Sequence, residues 1–172
     1  LLFDISLSAK SGYKKIYLWR SVKGMETNVR DTVLHVPEKI INPQKKNKTA
    51  MIICPGGSYH HLGMNNEGFS SAEFFMENGI VPFVLQYRVA YNGHHHPEML
   101  EDIQMAINFV RSHSQKYGID KNKLGCIGYS AGGHLVLMAG AFGKTDELAK
   151  LGIKATESLR PDFVAPIYPV VS

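Results

Sequence analysis

The chain contains 172 residues, a length typical of one domain with its own hydrophobic core. Hydrophobic residues make up 44% of the sequence and charged residues 20%, which is the ordinary composition of a globular protein. The net charge of +4 is too small to indicate a nucleic acid as partner, and no apolar run approaches the roughly 18 residues that a membrane-spanning helix needs.

The first ten residues allow two interpretations. Leu7, Ser8 and Ala9 before Lys10 resemble the end of a signal peptide, but Asp4 would interrupt the apolar region that such a peptide requires. An ordinary segment of the mature protein is therefore the favoured interpretation.

The two cysteines, Cys54 and Cys126, each lie in an apolar run that predicts a buried strand. We therefore expect reduced thiols in the core rather than a disulfide framework. Such thiols do not identify the cellular compartment.

Apolar runs predict six strands along the chain. They cover residues 15–20, 32–36, 50–54, 80–87, 124–127 and 162–170. The run 50–54 is apolar throughout, which is typical of a central parallel strand that is buried on both faces. The lysine-rich segment 42–49 before it predicts a solvated turn.

Helical patterns fill the gaps between the later strands. The segment 69–78 predicts a helix that ends at Gly79, and the segment 97–117 predicts a longer helix that ends at Gly118. In the longer helix, apolar residues recur at spacings of three and four, and Pro97 suits its first turn. Since strands alternate with helices after two N-terminal strands, the sequence predicts an α/β fold with a mostly parallel sheet and helices on both faces.

The segment 128–132 reads Gly-Tyr-Ser-Ala-Gly, which matches the pattern G-x-S-x-G. It follows the predicted strand 124–127 and opens into the apolar run 135–139, so its context is strand, sharp turn and helix. In a nucleophile elbow this context exposes the serine hydroxyl at the top of the sheet. Ser130 is therefore the candidate nucleophile, and the alternative is a glycine-rich turn with an ordinary serine.

A serine nucleophile needs hydrogen-bond donors for the oxyanion that develops in the reaction. One donor in such a site is the backbone N–H of the residue after the nucleophile, which is Ala131 here. The second comes from the loop after an earlier central strand, and the segment 55–59 (PGGSY) fits that place. We expect the N–H groups of Gly57 and Ser58 to contribute, with a simple Gly-Gly turn as the alternative.

The serine also needs a base, and here the sequence departs from the pattern. In this type of site the chain order is Ser, then Asp or Glu, then His. His134 is the only histidine after Ser130, and it follows one helical turn further on. We interpret His134 as a structural histidine on the buried helix behind the serine. Asp146 and Asp162 follow the serine, but no histidine follows them.

The other polar candidates lie in loops and at element ends. His60 and His61 follow the predicted oxyanion loop, and residues 94–96 are consecutive histidines before the long helix. We expect them near the mouth of the site, where one of them could contact substrate. Their spacing does not match a zinc motif, so the sequence predicts no metal and no cofactor. Arg88 and Asp102 are expected to form a structural ion pair.

Several of these segments together resemble a known family. They are, in chain order, 53–62 (ICPGGSYHHL), 66–68 (NEG), 85–88 (LQYR), 96–97 (HP), Asp102, 117–120 (YGID), 127–134 (IGYSAGGH), 160–163 (RPDF) and 167–172 (IYPVVS). In this order they are similar to bacterial acetylxylan esterase-like α/β-hydrolases, some of which are labelled xylanases, over about residues 15–172. The resemblance extends to the wider group of carboxylesterases and hormone-sensitive-lipase-like proteins.

This resemblance implies an α/β-hydrolase fold in which Ser130 is the nucleophile and Gly57, Ser58 and Ala131 surround the oxyanion. The family usually has another glycine where Ser58 stands, but the N–H that the site uses is still present. The catalytic acid and histidine of the family lie on later loops, and no position of this sequence matches them. Residues 1–172 are therefore expected to be the N-terminal part of one α/β-hydrolase domain, truncated after its sixth strand.

The function that this resemblance implies is that of a serine esterase. It would hydrolyse O-acetyl or other short acyl esters, on a carbohydrate such as xylan, through an acyl-enzyme on Ser130. The alternatives are another carboxylesterase or a peptidase of the same fold, an incomplete hydrolase that binds without turnover, and an enzyme completed by a second chain. The expected partner is a small-molecule or oligosaccharide ester, and the open sheet edge at 162–170 could pair with another copy. The resemblance favours a secreted or periplasmic location, with a cytoplasmic one as the alternative.

Overall fold

The computed structural model describes residues 10–26, 29–40 and 47–171. The segment that resembles a signal-peptide end and most of the lysine-rich turn lie outside these residues. Within the described ranges, no helix is both long enough and apolar enough to span a membrane.

In this part of the chain, six strands form one sheet. They are β1 (Tyr13–Tyr17), β2 (Val33–Pro37), β3 (Ala50–Cys54), β4 (Val81–Gln86), β5 (Leu124–Tyr129) and β6 (Phe163–Ile167). They lie side by side in the order β1-β2-β4-β3-β5-β6. The β1–β2 and β2–β4 pairs are antiparallel, whereas β4, β3, β5 and β6 are parallel neighbours. The predicted mostly parallel sheet is confirmed, with the two N-terminal strands added at one edge.

The helices of the described residues are α1 (Ser70–Glu77), α2 (Glu98–Ser112), α3 (Ser114–Tyr117), α4 (Ala131–Ala141) and α5 (Glu147–Lys150). A π-helical turn (Met64–Phe69) precedes α1, and a 3-10 turn (Ala90–Asn92) follows β4. The predicted ends at Gly79 and Gly118 are confirmed, since these glycines have the positive φ of a left-handed cap, 78° and 61°.

Two predicted elements in the first part of the chain differ from the structure by more than one or two residues. The first strand ends at Tyr17 instead of residue 20, because the chain turns there and buries Trp19 from the turn. The helix predicted over 97–117 is broken at His113 into α2 and α3. At this break the Ser112 hydroxyl bonds the carbonyl of the residue four positions earlier, which competes with continuation of the helix.

The last strand is also shorter than predicted. β6 ends at Ile167 instead of residue 170, because Tyr168 has a φ of 34° that takes the chain out of the sheet. The edge that β6 leaves open in the described sheet is therefore five residues long rather than nine, and Phe163 at its start is 42% exposed.

The sheet separates two groups of buried side chains. Ala50, Ile52 and Cys54 of β3 pack with residues of α2 and α4, whereas Met51 and Ile53 pack with α1. Alternate residues of a strand point to opposite faces, so helices cover both faces of β3. The prediction for the run 50–54, and that of helices on both faces of the sheet, is confirmed.

A buried polar cluster fixes the loop after β4 to α2. The Arg88 guanidinium lies 2.9 Å from the Asp102 carboxylate, and the backbone N–H of Arg88 donates to the same carboxylate. Trp19 donates its indole N–H to Asp102 over 2.7 Å, and Glu101 forms a second ion pair with Arg88. Since Arg88 is 1% exposed and Asp102 is 0% exposed, the predicted ion pair is confirmed as part of the core.

Candidate active site

Ser130 occupies the sharp turn between β5 and α4, where the sequence predicts an elbow. Its φ of 52° and ψ of −114° lie in a region that non-glycine residues rarely adopt, so the backbone is strained here. The segment at the end of β6 holds the turn, because the N–H of Ser130 donates to the Ile167 carbonyl over 3.0 Å and the N–H of Val170 donates to the Ser130 carbonyl. The serine therefore lies at the carboxyl end of an interior strand, in the geometry of a nucleophile elbow.

Two glycines flank Ser130 at positions where no side chain would fit. A Cβ on Gly128 would collide with the backbone of Gly132, and a Cβ on Gly132 would collide with the carbonyl groups of Cys54 and Pro55. The G-x-S-x-G pattern is therefore explained by the close approach of β5, α4 and the end of β3.

The segment after β3, which we call the oxyanion loop (residues 55–59), runs beside this elbow. A Cβ on Gly56 would lie 3.1 Å from the Cβ of Ser130, so the two turns are in contact. Gly57, Ser58 and Tyr59 follow with φ values of 146°, 54° and 57°. Three consecutive residues with positive φ bend the loop sharply around the serine turn.

Backbone donors are available on both sides of this contact. Within the described parts of the chain, the N–H groups of Gly57 and Ser58 donate to no backbone or side-chain acceptor. Ala131 begins α4, and the first N–H groups of a helix have no partner inside the helix. The structure thus brings the predicted donors into the two segments that meet at Ser130.

Several contacts hold the oxyanion loop from its other side. The N–H of Gly56 donates to the Glu67 carboxylate over 3.3 Å, and the N–H of Gly63 donates to the Gly56 carbonyl over 2.9 Å. The Tyr87 hydroxyl donates to the Pro55 carbonyl over 2.5 Å. Burial raises the pKa of Tyr87 well above its ordinary value, so the hydroxyl keeps the proton that it donates.

His134 lies on α4 one turn after Ser130 and forms a hydrogen bond with Tyr59, with 2.6 Å between Nδ1 and the phenol oxygen. This bond joins the oxyanion loop to the helix that begins at the elbow. As interpreted from the sequence, His134 lies on the helix that follows the serine; its ring is half-buried and lines a cavity.

We call this space, which has a volume of about 460 Å³, the elbow cavity. Its lining residues come from the oxyanion loop, the loop after β4, α2 and α4; they are Tyr59, Ala90, His94, His95, His96, Met99, His134, Leu135, Met138 and Phe142. The histidines at 94–96 thus line a cavity beside the elbow helix. His60 and His61 are exposed and are not among its lining residues.

His94 is buried between two carboxylates. One of its ring nitrogens lies 2.8 Å from Glu98, and the other lies 2.8 Å from Asp31. Asp31 precedes β2 and Glu98 begins α2, so the ring joins three segments. It thereby holds residues 94–96, which we call the histidine loop, in the cavity wall. In the residues that the structure describes, no group of His, Cys, Asp or Glu side chains is arranged to hold a metal ion.

Sequence reasoning did not identify Tyr59, Glu67 or Tyr87 as contacts of the site. Glu67 is 11 residues from its partner Gly56, and Tyr59 is 75 residues from its partner His134. Contacts at such separations leave no local pattern in a sequence. The one available signal was the resemblance, which includes the segment 66–68 but assigns no role to Glu67.

A strained serine that follows a strand of a mostly parallel sheet and opens a helix, with free N–H donors beside it, defines the class of α/β-hydrolases. The comparison with protein families agrees, because the BD-FAE profile matches residues 39–165. The chain belongs to the BD-FAE family. The expected membership among acetylxylan esterase-like α/β-hydrolases is confirmed by its relatives.

Among curated relatives, the chain is 28% identical over 130 residues to an acetylxylan esterase of Xylanibacter ruminicola, which is 76% of this chain and 24% of that protein. It is 35% identical over 127 residues to endo-1,4-beta-xylanase B of Butyrivibrio fibrisolvens, which is 73% of this chain and 20% of that protein. Among solved structures, an acetyl ester-xyloside bifunctional hydrolase from Caldicellulosiruptor lactoaceticus matches with a TM-score of 0.73 and 31% identity, over 95% of this chain and 59% of that chain. The chain thus spans less than a quarter of the length of these curated relatives.

Proposed function

We propose that this chain carries the nucleophile and the oxyanion hole of a serine carboxylic ester hydrolase. The observation that carries the proposal is the backbone of Ser130 at the turn between strand and helix, whose φ of 52° with ψ of −114° lies outside even the left-handed region that turn residues adopt. The available N–H groups of Gly57, Ser58 and Ala131 lie in the two segments that meet there. The relatives, among them an acetylxylan esterase and an acetyl ester-xyloside hydrolase, support the same class of reaction.

In the proposed reaction, Ser130 Oγ attacks the carbonyl carbon of the ester and its proton passes to a base. The carbonyl oxygen becomes an oxyanion that accepts hydrogen bonds from the N–H groups of Gly57, Ser58 and Ala131. The C–O bond to the alcohol then breaks, the alcohol leaves with the proton, and Ser130 carries the acyl group. Water attacks this acyl-enzyme in the same manner, which releases the acid and restores the serine.

The base and its carboxylate partner are assigned to no residue of this sequence. His134 is the only histidine after Ser130, and its Nδ1 is engaged by Tyr59. In this proposal both groups come from residues outside 1–172, and residues 1–172 form the N-terminal part of the hydrolase domain. The solved relative, of which this chain covers 59%, has the additional length that such residues require.

The proposed substrate is an O-acetyl or other short acyl ester on a carbohydrate such as xylan, and the reaction needs no cofactor. The names of the relatives support this choice over a general carboxylesterase or a peptidase. A hydrolase fragment that binds without turnover is the second candidate, and the bond between His134 and Tyr59 favours it because that histidine is already engaged. For that second candidate, the five-residue edge of β6 is the proposed surface for pairing with another copy of the chain.

Covalent labelling tests the proposed nucleophile. The intact mass of the purified protein is measured first, because it shows whether residues beyond these 172 are present. A fluorophosphonate is expected to label Ser130, and Ser130→Ala is expected to lower the hydrolysis of 4-nitrophenyl acetate and of acetylated xylan by about 10⁴-fold or more.

The matched control is Ser112→Ala, which removes an exposed hydroxyl at the end of α2 and is expected to keep the wild-type rate. Labelling of a different serine, or turnover by Ser130→Ala at the wild-type rate, would contradict the proposed role. Ligand binding without labelling or turnover would instead support the second candidate.

A further inference from the structure

We propose that the elbow cavity binds an unbranched alkyl group of the ester substrate that is longer than the methyl group of acetate. This inference rests on the proposed role of Ser130, and it names the substrate class of that same site. An acetyl ester remains a substrate, but one that leaves the elbow cavity unfilled.

The size of the elbow cavity is the first argument. Its volume of about 460 Å³ lies in the range of pockets that enclose a whole small-molecule ligand. An acetyl group has only one carbon beyond the carbonyl, so it cannot fill such a space. The cavity therefore fits a substituent of several carbons on one side of the ester bond.

The lining of the cavity is the second argument. Met99 of α2, Leu135 and Met138 of α4, and Phe142 after α4 contribute apolar side chains, together with Ala90 from the loop. An apolar wall favours an alkyl group because burial of each methylene improves binding by about fourfold. Methionine side chains also adapt to chains of different length.

The polar groups in the wall are the third argument, because much of their hydrogen-bonding capacity is already used. Both ring nitrogens of His94 face carboxylates, and Nδ1 of His134 is bonded to Tyr59. The other imidazoles of the wall, those of His95 and His96, belong to residues that are exposed to solvent. A sugar ring in the cavity would require free donors and acceptors for its hydroxyls, whereas an alkyl chain requires none. The wall thus favours the alkyl chain.

The position of the cavity completes the argument. Tyr59 lies two residues after Gly57 in the oxyanion loop, and His134 lies one turn after Ser130 on α4. The wall that these two residues form is therefore continuous with both segments of the proposed oxyanion hole. Ser130 does not itself line the cavity, so in this proposal a chain that extends from a carbonyl group held at Ser130 enters the space past Tyr59 and His134.

Binding is tested without any need for turnover, by NMR of protein labelled with ¹³C-methyl methionine. Hexanoate represents the acyl side of an ester and hexan-1-ol the alcohol side, and acetate is the short-chain comparison. Hexanoate or hexan-1-ol is expected to shift the methyl signals of Met99 and Met138, while Met25 and Met51, which do not line the cavity, stay unchanged. Absence of shifts at Met99 and Met138, or equal shifts at all methionines, would overturn the proposal.

A chain-length series tests the same cavity in the reaction of the full protein. Hydrolysis of 4-nitrophenyl hexanoate relative to the acetate tests the acyl side, and hydrolysis of hexyl acetate relative to ethyl acetate tests the alcohol side. We expect kcat/KM to rise at least about tenfold with length in one series, and Met138→Trp to abolish that rise while the short ester is still cleaved.

Leu137→Trp is the matched control. Leu137 directly precedes Met138 in α4 and is also half-buried, but it lines the groove beside β6 instead of the cavity. It is expected to keep the dependence on chain length, and loss of that dependence in both variants would contradict the assignment. If no ester is hydrolysed, the proposed function fails, and the methionine signals still decide whether the cavity binds alkyl chains.

Discussion

The segment 57–59 of the oxyanion loop has a conformation that two of its three residues do not favour. Gly57 has no Cβ to oppose a φ of 146°, but Ser58 and Tyr59 are L-residues at 54° and 57°. A left-handed backbone costs a non-glycine residue roughly 1–2 kcal/mol. The Tyr59 bond to His134 and the N–H of Ala90, which donates to the Tyr59 carbonyl over 2.7 Å, offset this cost.

We predict that Tyr59→Phe lowers kcat for ester hydrolysis about tenfold with little change in KM, because the ring still packs but no longer ties the loop to α4. Steady-state kinetics and thermal unfolding of the same samples separate a positioning effect from a general loss of stability. Tyr91→Phe, which alters a ring that is 76% exposed, is the control and is expected to match wild type. An unchanged kcat in Tyr59→Phe would show that the bond does not position the donors.

The sequence predicts single residues well where their constraint is local. Gly128 and Gly132 are required by a turn between consecutive elements, so they leave a pattern within five residues around Ser130. The bond between Tyr59 and His134 spans 75 residues and depends on β3 lying beside β5, which no local pattern contains. The catalytic roles of Ser130 and its N–H donors stay predictions until labelling tests them.

Among the elements, α2 and the histidine loop depend on the buried contact between Arg88 and Asp102. The two side chains are almost inaccessible, and Trp19 from the turn after β1 donates to the same carboxylate. The turn after β1 is therefore joined to the loop after β4 and to α2 at one carboxylate, although Trp19 lies 83 residues before Asp102. Since the loop after Arg88 leads to the elbow cavity, this contact also defines one cavity wall.

We predict that Asp102→Asn lowers the free energy of unfolding by about 3 kcal/mol, because Arg88 then loses the fully buried one of its two nearest counter-charges, which both lie 2.9 Å away. Urea unfolding measures the loss. Glu157→Gln is the matched control: it breaks an exposed pair with Lys121, 3.4 Å apart, and is expected to cost about 1 kcal/mol or less. A loss for Asp102→Asn as small as that of the control would mean that Glu101 alone satisfies Arg88.

Element types follow from the sequence more reliably than element ends. The run 50–54 is a strand with the predicted bounds, because burial on both faces leaves an unbroken apolar pattern. The predicted first strand includes Trp19, because an apolar pattern does not distinguish a side chain that is buried from a turn from one that is buried from a strand. The break at His113 was missed because the apolar spacing of the long helix continues up to it.

For the whole molecule, the alternation of strands and helices predicts the parallel sheet, but it does not predict how the N-terminal strands join it. β2 pairs antiparallel with β4, with Val33 opposite Gln86. Such a pairing depends on which sheet edge is free, and this is decided by the positions of all the other strands. The fold class was therefore predictable, and the complete strand order was not.

The two cysteines are expected to lower the stability of the whole molecule as the pH rises in the alkaline range. Both are buried free thiols, as predicted. Burial raises the pKa of the Cys126 thiol from 9.0 to about 12, and it raises the pKa of Cys54 well above its ordinary value. In the unfolded chain the thiols lose their protons above pH 9, while the folded protein retains them. Each further rise in pH between about 9 and 12 therefore favours the unfolded state.

We predict that the melting temperature falls more steeply between pH 9 and 10.5 than between pH 7 and 9, and that iodoacetamide does not modify the folded protein at pH 8. Thermal unfolding monitored by circular dichroism across this range measures the slope. The variant Cys54→Ala with Cys126→Ala has a lower melting temperature at every pH because it loses packing, but its slope above pH 9 is expected to be smaller. Equal slopes would assign the alkaline loss to the buried tyrosines.

The position of β3 between β4 and β5 also means that β3 is synthesised well before its second neighbour in the sheet. β3 is complete at residue 54 and its second neighbour begins at residue 124, so about 70 residues must be translated in between, which takes roughly 4–14 s at ordinary rates of synthesis. During that interval one edge of an entirely apolar strand has no native partner on the nascent chain. The same central placement that buries β3 in the finished protein thus leaves it open to misassociation while the protein is being made.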